Sequence, residues 1–158
     1  MYRIGQSTDI HQLVEGRQLI LGGVKIKHNK GLLGHSDADA LLHAIAEAIL
    51  GALALNDLGH LFPDNDPKTE GISSSIILNK VYEIMDSKGY MINNVDSLVI
   101  IEKPKLKPYI NDMRENISKL LHTSIENVNV KATCSETLGF VGNESGVIAQ
   151  AIVMLKRK

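Results

Sequence analysis

The chain has no tryptophan, a single cysteine and few other aromatic residues: tyrosine and phenylalanine together make up 4% of its 158 residues. One cysteine, Cys134, excludes an intrachain disulfide framework and is typical of a reducing compartment. So few aromatic side chains argue against a base-stacking surface for single-stranded nucleic acid. The formal net charge of −1 argues against an electrostatic binder of nucleic acid or of a membrane surface.

Long uninterrupted apolar runs are also missing. The longest, residues 40–55, contains His43, Glu47 and Gly51, so it is too interrupted to span a bilayer. Strand-like sequence begins at Tyr2, so we expect no signal or transit segment and a bacterial-type cytoplasmic location. A plastid origin with a removed transit peptide stays open. The length fits one domain, residues 1–158, with room for a buried core.

Hydrophobic periodicity predicts an α+β fold: a mixed β-sheet with helices mainly on one face. Gly22-Gly23 between two short apolar runs predicts a small hairpin, and strand, helix and strand over residues 95–135 predict one βαβ unit. The almost wholly apolar run 147–155 is typical of a central or doubly covered strand. We place a strand at residues 2–13 and a first helix that begins after Ser36 and runs to Leu53. Two more helices are placed at residues 73–88 and 108–122.

The most informative stretch, HSDADALLH at residues 35–43, opens an apolar helical run. Ser36 is a good N-cap with Asp39 three residues later, and the free N–H groups of a helix start offer an anion site. Asp39 and Glu47 each lie one turn from His43, where a carboxylate fixes the tautomer of a metal-binding histidine. The alternative, a packed helix histidine with capping acids, stays open.

Asp9 and His11 lie two residues apart on a predicted strand, so their side chains point to the same face. Together with His43 they form an Asp-His-His set. Three protein ligands and an open fourth position are typical of a catalytic zinc site.

Three loops carry further candidates. Residues 56–66 combine acids with Leu58, Leu61 and Phe62, which favours a binding loop packed against the body over a linker. Residues 102–108 form a stiff basic loop that, taken alone, is a strand-to-helix connection with solvated lysines. The end of the predicted strand 128–135 and the residues 136–142 that follow it carry hydroxyls, a thiol, an acid and glycines, which predicts a ligand-binding rim.

Read together, these motifs resemble one enzyme family over nearly the whole chain. RIG…D-x-H, KGLLGHSDAD…LLHA, FPD-x-D, K-P-K and NVKAT…LGF occur in order and at matching spacing. The sequence resembles the 2-C-methyl-D-erythritol 2,4-cyclodiphosphate synthases of the non-mevalonate isoprenoid pathway. The resemblance implies a lyase that converts 4-diphosphocytidyl-2-C-methyl-D-erythritol 2-phosphate to the cyclodiphosphate and releases CMP by metal-assisted intramolecular phosphoryl transfer.

The resemblance also implies cofactors, partners and site residues. It implies a homotrimer with active sites at subunit interfaces, zinc on Asp9, His11 and His43, and Mg²⁺ or Mn²⁺ on Glu136 and the substrate diphosphate. It implies catalytic roles for His35 and Cys134. The implied substrate-binding residues are Asp9, His11, His35, Ser36, Asp57, Leu58, Gly59, Phe62, Pro63, Asp64, Asn65, Asp66, Ile101, Glu102, Lys103, Pro104, Lys105, Leu106, Lys107, Thr133, Cys134, Ser135, Glu136, Phe140 and Asn143.

Several positions depart from the family's pattern KATTTEKLGFTGR. Cys134 replaces a threonine, Thr137 a lysine and Asn143 an arginine, so one hydroxyl and two positive charges near a polyanion are lost. These changes motivate a rival hypothesis, a non-catalytic relative that binds cytidine nucleotides or isoprenoid phosphates. A second rival is a zinc phosphohydrolase that uses the same three ligands and water as nucleophile.

Overall fold

A computed structural model describes residues 1–158. Its centre is a five-stranded mixed sheet in the order β4-β1-β7-β5-β6. The strands are β1 (Tyr2–Glu15), β4 (Lys30–Leu32), β5 (Tyr90–Ile100), β6 (Val128–Thr133) and β7 (Gly146–Arg157), with a separate hairpin of β2 (Leu19–Leu21) and β3 (Val24–Ile26). Strand β7 pairs antiparallel with both β1 and β5, whereas β5 and β6 are parallel.

Five α-helices accompany the sheet. They are α1 (Ala40–Ala52), α2 (Leu58–Leu61), α3 (Ser74–Ser87), α4 (Ile110–Leu120) and α5 (Gly139–Gly142), and 3₁₀ turns occupy Pro67–Thr69, Lys107–Tyr109 and Ile125–Asn127. Helix α1 is almost wholly buried and packs directly on β1 and β7. A Cβ atom on Gly5 of β1 would lie 1.9 Å from the Ala48 carbonyl oxygen of α1. Glycine therefore allows this helix to lie against the strand that carries Asp9 and His11.

Only one face of the sheet is covered by the core. Alternate residues of β1 are buried towards α1, and the residues between them are exposed. The exposed face carries large apolar side chains, namely Tyr2, Ile4, Ile10, Met91 and Ile152. None of the helices is both long and apolar enough to cross a membrane.

The structure confirms the α+β class, the hairpin and the parallel βαβ unit made of β5, α4 and β6. It also corrects three details. Helix α1 is capped by Asp39, whose side chain accepts from the Leu42 N–H, and not by Ser36. Residues 31–34 are not all loop, because they include part of β4. Strand β7 is central but not doubly covered, since Gln150 and Ile152 are exposed.

Candidate metal centre and active site

Asp9, His11 and His43 meet where the second half of β1 passes the first turns of α1. One ligand atom from each side chain lies within 4.8 Å of the others. Asp9 Oδ2 is 2.8 Å from His11 Nε2 and 3.3 Å from His43 Nδ1. The spacing of Asp9 and His11 on a strand brings both to one face, as predicted, and the structure shows that α1 covers this face.

The hydrogen bonds of His11 fix which of its nitrogens carries a proton. Its Nδ1 lies 2.8 Å from the Leu33 carbonyl oxygen, which can only accept, so Nδ1 donates. The lone pair of neutral His11 is therefore on Nε2, and it faces the Asp9 carboxylate. Two acceptors at this distance need a cation between them, either a proton or a metal ion. An Asp-His-His donor set of this kind suits zinc.

Hydrogen bonds also orient the ring of His43, but they come from different partners. Its Nε2 lies 2.8 Å from Ser74 Oγ and 3.2 Å from Ser36 Oγ, while Nδ1 points to Asp9. We expected Asp39 or Glu47 to fix this ring, and that expectation is wrong, because both carboxylates bind elsewhere.

Asp39 is fully buried and joins α1 to the β2–β3 hairpin. Its carboxylate accepts from the N–H groups of Gly22, Gly23 and Leu42 at 2.6–3.0 Å. Burial raises the pKa of Asp39 to about 6, against the opposing effect of these three N–H groups. Glu47 instead accepts from Ser7 Oγ at 2.9 Å.

The electrostatics of the cluster favour bound positive charge. Burial alone raises the pKa of Asp9, but hydrogen bonds from His11 and His43 outweigh it and lower this pKa to about 2. Burial lowers the pKa of His11, yet the Asp9 carboxylate more than compensates, so the pKa is raised overall. The carboxylate thus stays ionised and attracts a cation.

A cavity of about 280 Å³ opens over the cluster. Its lining includes most of the predicted metal and binding-loop residues: Asp9, His11, His35, Ser36, His43, Leu58, Gly59, Phe62 and Asp64. Four other predicted loop residues do not line it: Asp57, Pro63, Asn65 and Asp66. Asp57 caps α2 and binds His60, and the Asp66 carbonyl oxygen lies 3.0 Å from His35 Nε2. Both therefore shape the loop around the cavity.

The amino end of α1 does not form the expected phosphate site. Asp39 already occupies it with a carboxylate, and Ala40 and Leu41 behind it are fully buried. The groups that reach the cavity come instead from the preceding turn, His35 and Ser36.

A second cavity, of about 480 Å³, lies at the carboxyl ends of β5 and β6. It brings together two predicted segments that are far apart in sequence; its lining is Ile101, Glu102, Pro104, Lys105, Leu106, Lys107, Ile110, Ala132, Thr133 and Cys134. Lys103 is exposed and lies outside the lining. The Glu102 carboxylate is already bound by Ser135 N, Ser135 Oγ and Thr137 N at 3.1–3.3 Å. Glu102 thus holds the turn that follows β6.

Three other predicted rim residues, Glu136, Phe140 and Asn143, are exposed and line neither cavity. Cys134 Sγ lies 3.5 Å from Glu136 Oε1, and Glu136 has a positive φ of 54°. Glu136 belongs to no cluster of metal-ligating side chains; the three-residue cluster at Asp9 is the one that this chain forms. Phe140 is exposed and packs near Gly146, and Asn143 is exposed at the end of α5.

Sequence reasoning missed several residues of the metal cavity. Thr69, Ile72 and Ile77 line it, and Ser74 binds a candidate metal ligand beside it. Ser74 is separated from His43 by 31 positions, and in sequence it is one of several serines at a helix start. No local pattern marks it out, because its role depends on how α3 packs on α1.

Comparison with known proteins adds independent information. A family model described as the YgbB family matches residues 2–156. The 2-C-methyl-D-erythritol 2,4-cyclodiphosphate synthase of Carboxydothermus hydrogenoformans is 56% identical over 156 residues, which cover 99% of this chain and 96% of that protein. The protein of the same name from Bacillus cereus is 54% identical over 158 residues, 100% of both chains.

Solved structures agree with these relatives. A Plasmodium falciparum structure described as an IspF–CDP complex matches with a TM-score of 0.87 and 38% identity, covering 99% of this chain and 97% of that one. The bifunctional IspDF of Campylobacter jejuni matches with a TM-score of 0.96 and 38% identity. This chain is covered completely in that match but spans only 43% of the bifunctional protein.

Proposed function

We propose how the site works from the premise that this chain belongs to the YgbB family, whose curated relatives are 2-C-methyl-D-erythritol 2,4-cyclodiphosphate synthases. It acts in isoprenoid biosynthesis and converts 4-diphosphocytidyl-2-C-methyl-D-erythritol 2-phosphate to 2-C-methyl-D-erythritol 2,4-cyclodiphosphate with release of CMP. The observation that carries the proposal is the convergence of two histidine lone pairs and the Asp9 carboxylate beside a cavity lined by the 58–64 loop.

The reaction needs no nucleophile from the protein. An oxygen of the substrate's 2-phosphate forms a bond to the β-phosphorus, and the bond from that phosphorus to the bridging oxygen breaks. The electron pair leaves with the bridging oxygen on CMP. The protein must therefore bend a polyanionic chain back on itself and hold the attacking and leaving oxygens in line.

We assign the metal to Asp9, His11 and His43, and its identity to zinc, because carboxylate and imidazole donors in a three-ligand set suit that ion. Asp9, His11 and His43 would hold an ion that, when bound, would supply charge neutralisation to the phosphate oxygens and a point for orienting the diphosphate. A second divalent ion, Mg²⁺ or Mn²⁺, is assigned to Glu136 together with the substrate diphosphate. Oxygen donors and retained phosphate ligands are typical of Mg²⁺ sites.

His35 and Ser36 are proposed to bind the diphosphate. Ser36 Oγ accepts from the Ala38 N–H at 3.1 Å, so its own hydroxyl proton remains free for a phosphate oxygen. His35 donates Nε2–H to the Asp66 carbonyl, and this bond fixes its ring beside the metal cavity.

The two cavities divide the rest of the substrate between them. The metal cavity, with Leu58, Gly59, Phe62 and Asp64, suits the methylerythritol part, and Asp57, Pro63, Asn65 and Asp66 shape its loop. The larger cavity suits cytidine, with Thr133–Glu136 against the cytidine-side phosphates and Cys134 as the catalytic donor. Phe140 and Asn143 would complete the outer rim.

We further propose a homotrimer in which neighbouring subunits complete each site. The two cavities share no lining residue, and every rim residue from 133 to 140 except the half-buried Ser135 is exposed in the single chain. The exposed apolar face of the sheet supplies a surface for assembly. Within this proposal residues 1–158 form one domain, the enzyme is a phosphorus–oxygen lyase, and it works in the cytoplasm.

One alternative is favoured by a specific observation. Cys134, Thr137 and Asn143 weaken the donor set of the nucleotide rim, as they would in a relative that binds cytidine nucleotides or isoprenoid phosphates without turnover. The complete Asp9–His11–His43 cluster favours the synthase instead.

Phosphorus NMR of the zinc-loaded protein with the cytidyl substrate and Mg²⁺ decides between these functions. CMP together with a cyclic diphosphate is the expected result. CMP with a linear product would reveal the hydrolase. Binding of CDP without any turnover, with zinc bound, would establish the binding relative and overturn the proposal.

A further inference from the structure

Ser74, the first residue of α3, is fully buried and contacts a candidate metal ligand without reaching the metal position itself. Its Oγ lies 2.8 Å from Nε2 of His43. On its other side the Ser74 hydroxyl donates to the Oδ1 atom of Asp37. The three side chains thus form a continuous chain from a carboxylate to the ring of His43.

The number of available protons fixes the direction of every bond in this chain. The Asp37 carboxylate accepts from the Asp39 N–H at 3.1 Å and from the Ser74 N–H at 3.1 Å, as well as from the Ser74 hydroxyl. Ser74 has one hydroxyl proton, and it donates this proton in the hydrogen bond to Asp37. Towards His43 the serine oxygen can then only accept, so Nε2 of His43 must carry the proton.

We propose that Asp37 and Ser74 are positioning residues that hold His43 as the Nε2–H tautomer and direct its Nδ1 lone pair at Asp9. This inference rests on the proposed metal site, and it adds two residues that the metal-ligand set does not include. Ser36 Oγ, at 3.2 Å from the same nitrogen, is a weaker second partner because it already accepts from the Ala38 N–H.

The backbone beside Asp37 also holds the end of the segment 56–72 near the metal centre. Asp37 N donates to the Ile72 carbonyl oxygen at 3.0 Å, and Gly71 N donates to the His35 carbonyl oxygen at 2.8 Å. Ser74 lies two residues beyond Ile72, and several residues of the segment line the metal cavity. The side-chain bonds that orient His43 and the backbone bonds that hold this segment therefore lie next to each other in the fold.

Two measurements test the proposal, and neither is turnover. The first is the histidine ¹⁵N spectrum of the metal-free protein at a pH where imidazole is neutral, which distinguishes the two tautomers. The second is the zinc dissociation constant from chelator competition. Loss of a hydrogen-bond partner behind a metal ligand typically weakens metal binding about 10- to 100-fold.

Ser74→Ala should give His43 a mixture of tautomers and weaken zinc binding about 10- to 100-fold. Ser74→Thr keeps the hydroxyl and should retain the Nε2–H tautomer. Asp37→Ala is the sharper variant. It removes the acceptor of the Ser74 hydroxyl proton, which is then free for His43 Nε2. His43 should therefore shift towards the Nδ1–H tautomer.

Ser73→Ala is the matched control. Ser73 caps the same helix through the Ser75 N–H but does not contact His43. Equal loss of zinc affinity in Ser73→Ala and Ser74→Ala would assign the effect to helix stability and overturn the proposal. So would an unchanged tautomer in both Ser74→Ala and Asp37→Ala. If wild-type protein shows the Nε2–H tautomer but binds no zinc, the proposed metal function fails while the role of Ser74 stands.

Discussion

Cys134 belongs to the rim that we propose binds the cytidine-side phosphates. It is exposed at the edge of the larger cavity, and its Sγ lies 3.5 Å from Glu136 Oε1. A thiol donates a weaker hydrogen bond than a hydroxyl, so in the proposed site charge that develops on a phosphate oxygen would be stabilised less well.

Cys134→Thr should therefore raise kcat roughly two- to tenfold, because a stronger donor would face the transition state. The measurement is steady-state CMP release at saturating substrate. Cys134→Ala, which removes the donor, is the control and should be slower than wild type. Equal rates for all three proteins would show that the side chain at this position does not contact the reacting phosphates.

Asp39 gives the stability of the protein a specific pH dependence. Burial raises its folded-state pKa to about 6, above the ordinary value of 3.8. A folded state that holds the proton more tightly is favoured at low pH. Protonated Asp39 thus contributes on the order of 2–3 kcal/mol to the free energy of unfolding. This contribution is fully present below about pH 4 and is lost as pH rises through 6.

Asp39→Asn should remove this slope, because an amide does not titrate. Urea denaturation of both metal-free proteins between pH 4 and pH 7 measures it, and metal release then contributes to neither. The free energy of unfolding of wild type should fall with pH relative to that of the variant. A constant difference across this range would show that Asp39 is ionised throughout.

Single residues also show which parts of the site follow from the sequence. Asp9 and His11 were predictable, because a spacing of two on a strand forces both side chains to one face. His43 was predictable as the third member, and the structure confirms that the three converge. The groups that orient the His43 ring were not predictable. The carboxylates one turn away bind elsewhere, and Ser74 comes from another helix. Ring orientation depends on tertiary packing that local spacing does not encode.

At the scale of elements, the contact between β1 and α1 determines the metal geometry. β1 carries Asp9 and His11, and α1 carries His43. Gly5 sets how closely the two elements approach, since a Cβ there would lie 1.9 Å from Ala48 O and 2.6 Å from Ala52 N. Backbone atoms cannot rotate away, so a side chain at this position must push the helix from the strand.

Gly5→Ala should lower the free energy of unfolding by about 3 kcal/mol through overpacking, and it should weaken zinc binding because His43 moves relative to Asp9. Gly51→Ala is the matched control on the exposed side of α1, where the nearest atom lies 4.0 Å from the added Cβ. It should raise stability by about 0.5–1 kcal/mol, since alanine favours helix over glycine. Urea denaturation and chelator competition measure both. Equal effects of the two substitutions would contradict this role of Gly5.

The predictable elements are those with a periodic apolar pattern over many residues, or with a turn marked by glycine. Helix α3 begins one residue after its predicted start at Ser73, and the hairpin strands match their predicted bounds. Strand β4 and helix α2 have three and four residues, too few for a periodic pattern. The cap of α1 was misplaced because Ser36 fits the local motif, whereas Asp39 is chosen by its bonds to the distant hairpin.

At the scale of the whole molecule, the exposed sheet face and the open nucleotide rim point to the same assembly. A sheet buried on one face only leaves Ile4 and Ile152 in solvent, at 67% and 51% exposure. In the proposed homotrimer, contact between subunits would cover that face and would bring each rim towards a neighbour.

Ile152→Lys tests this assembly without disturbing the fold of the single chain. Ile152 lies beside Gln6 of β1 and Asp96 of β5, polar neighbours that tolerate a lysine in the monomer. In a trimer the charge would be buried against an apolar face, which is costly when unpaired. Light scattering should therefore show three chains for wild type and one for the variant, with an unchanged circular dichroism spectrum. Turnover should fall with the loss of the trimer, because each metal cavity would lose its partner's nucleotide pocket.

Ile76→Lys, at a similarly exposed position on α3, is the control and should remain a trimer. If Ile152→Lys keeps three chains and full activity, the exposed face is not the subunit interface.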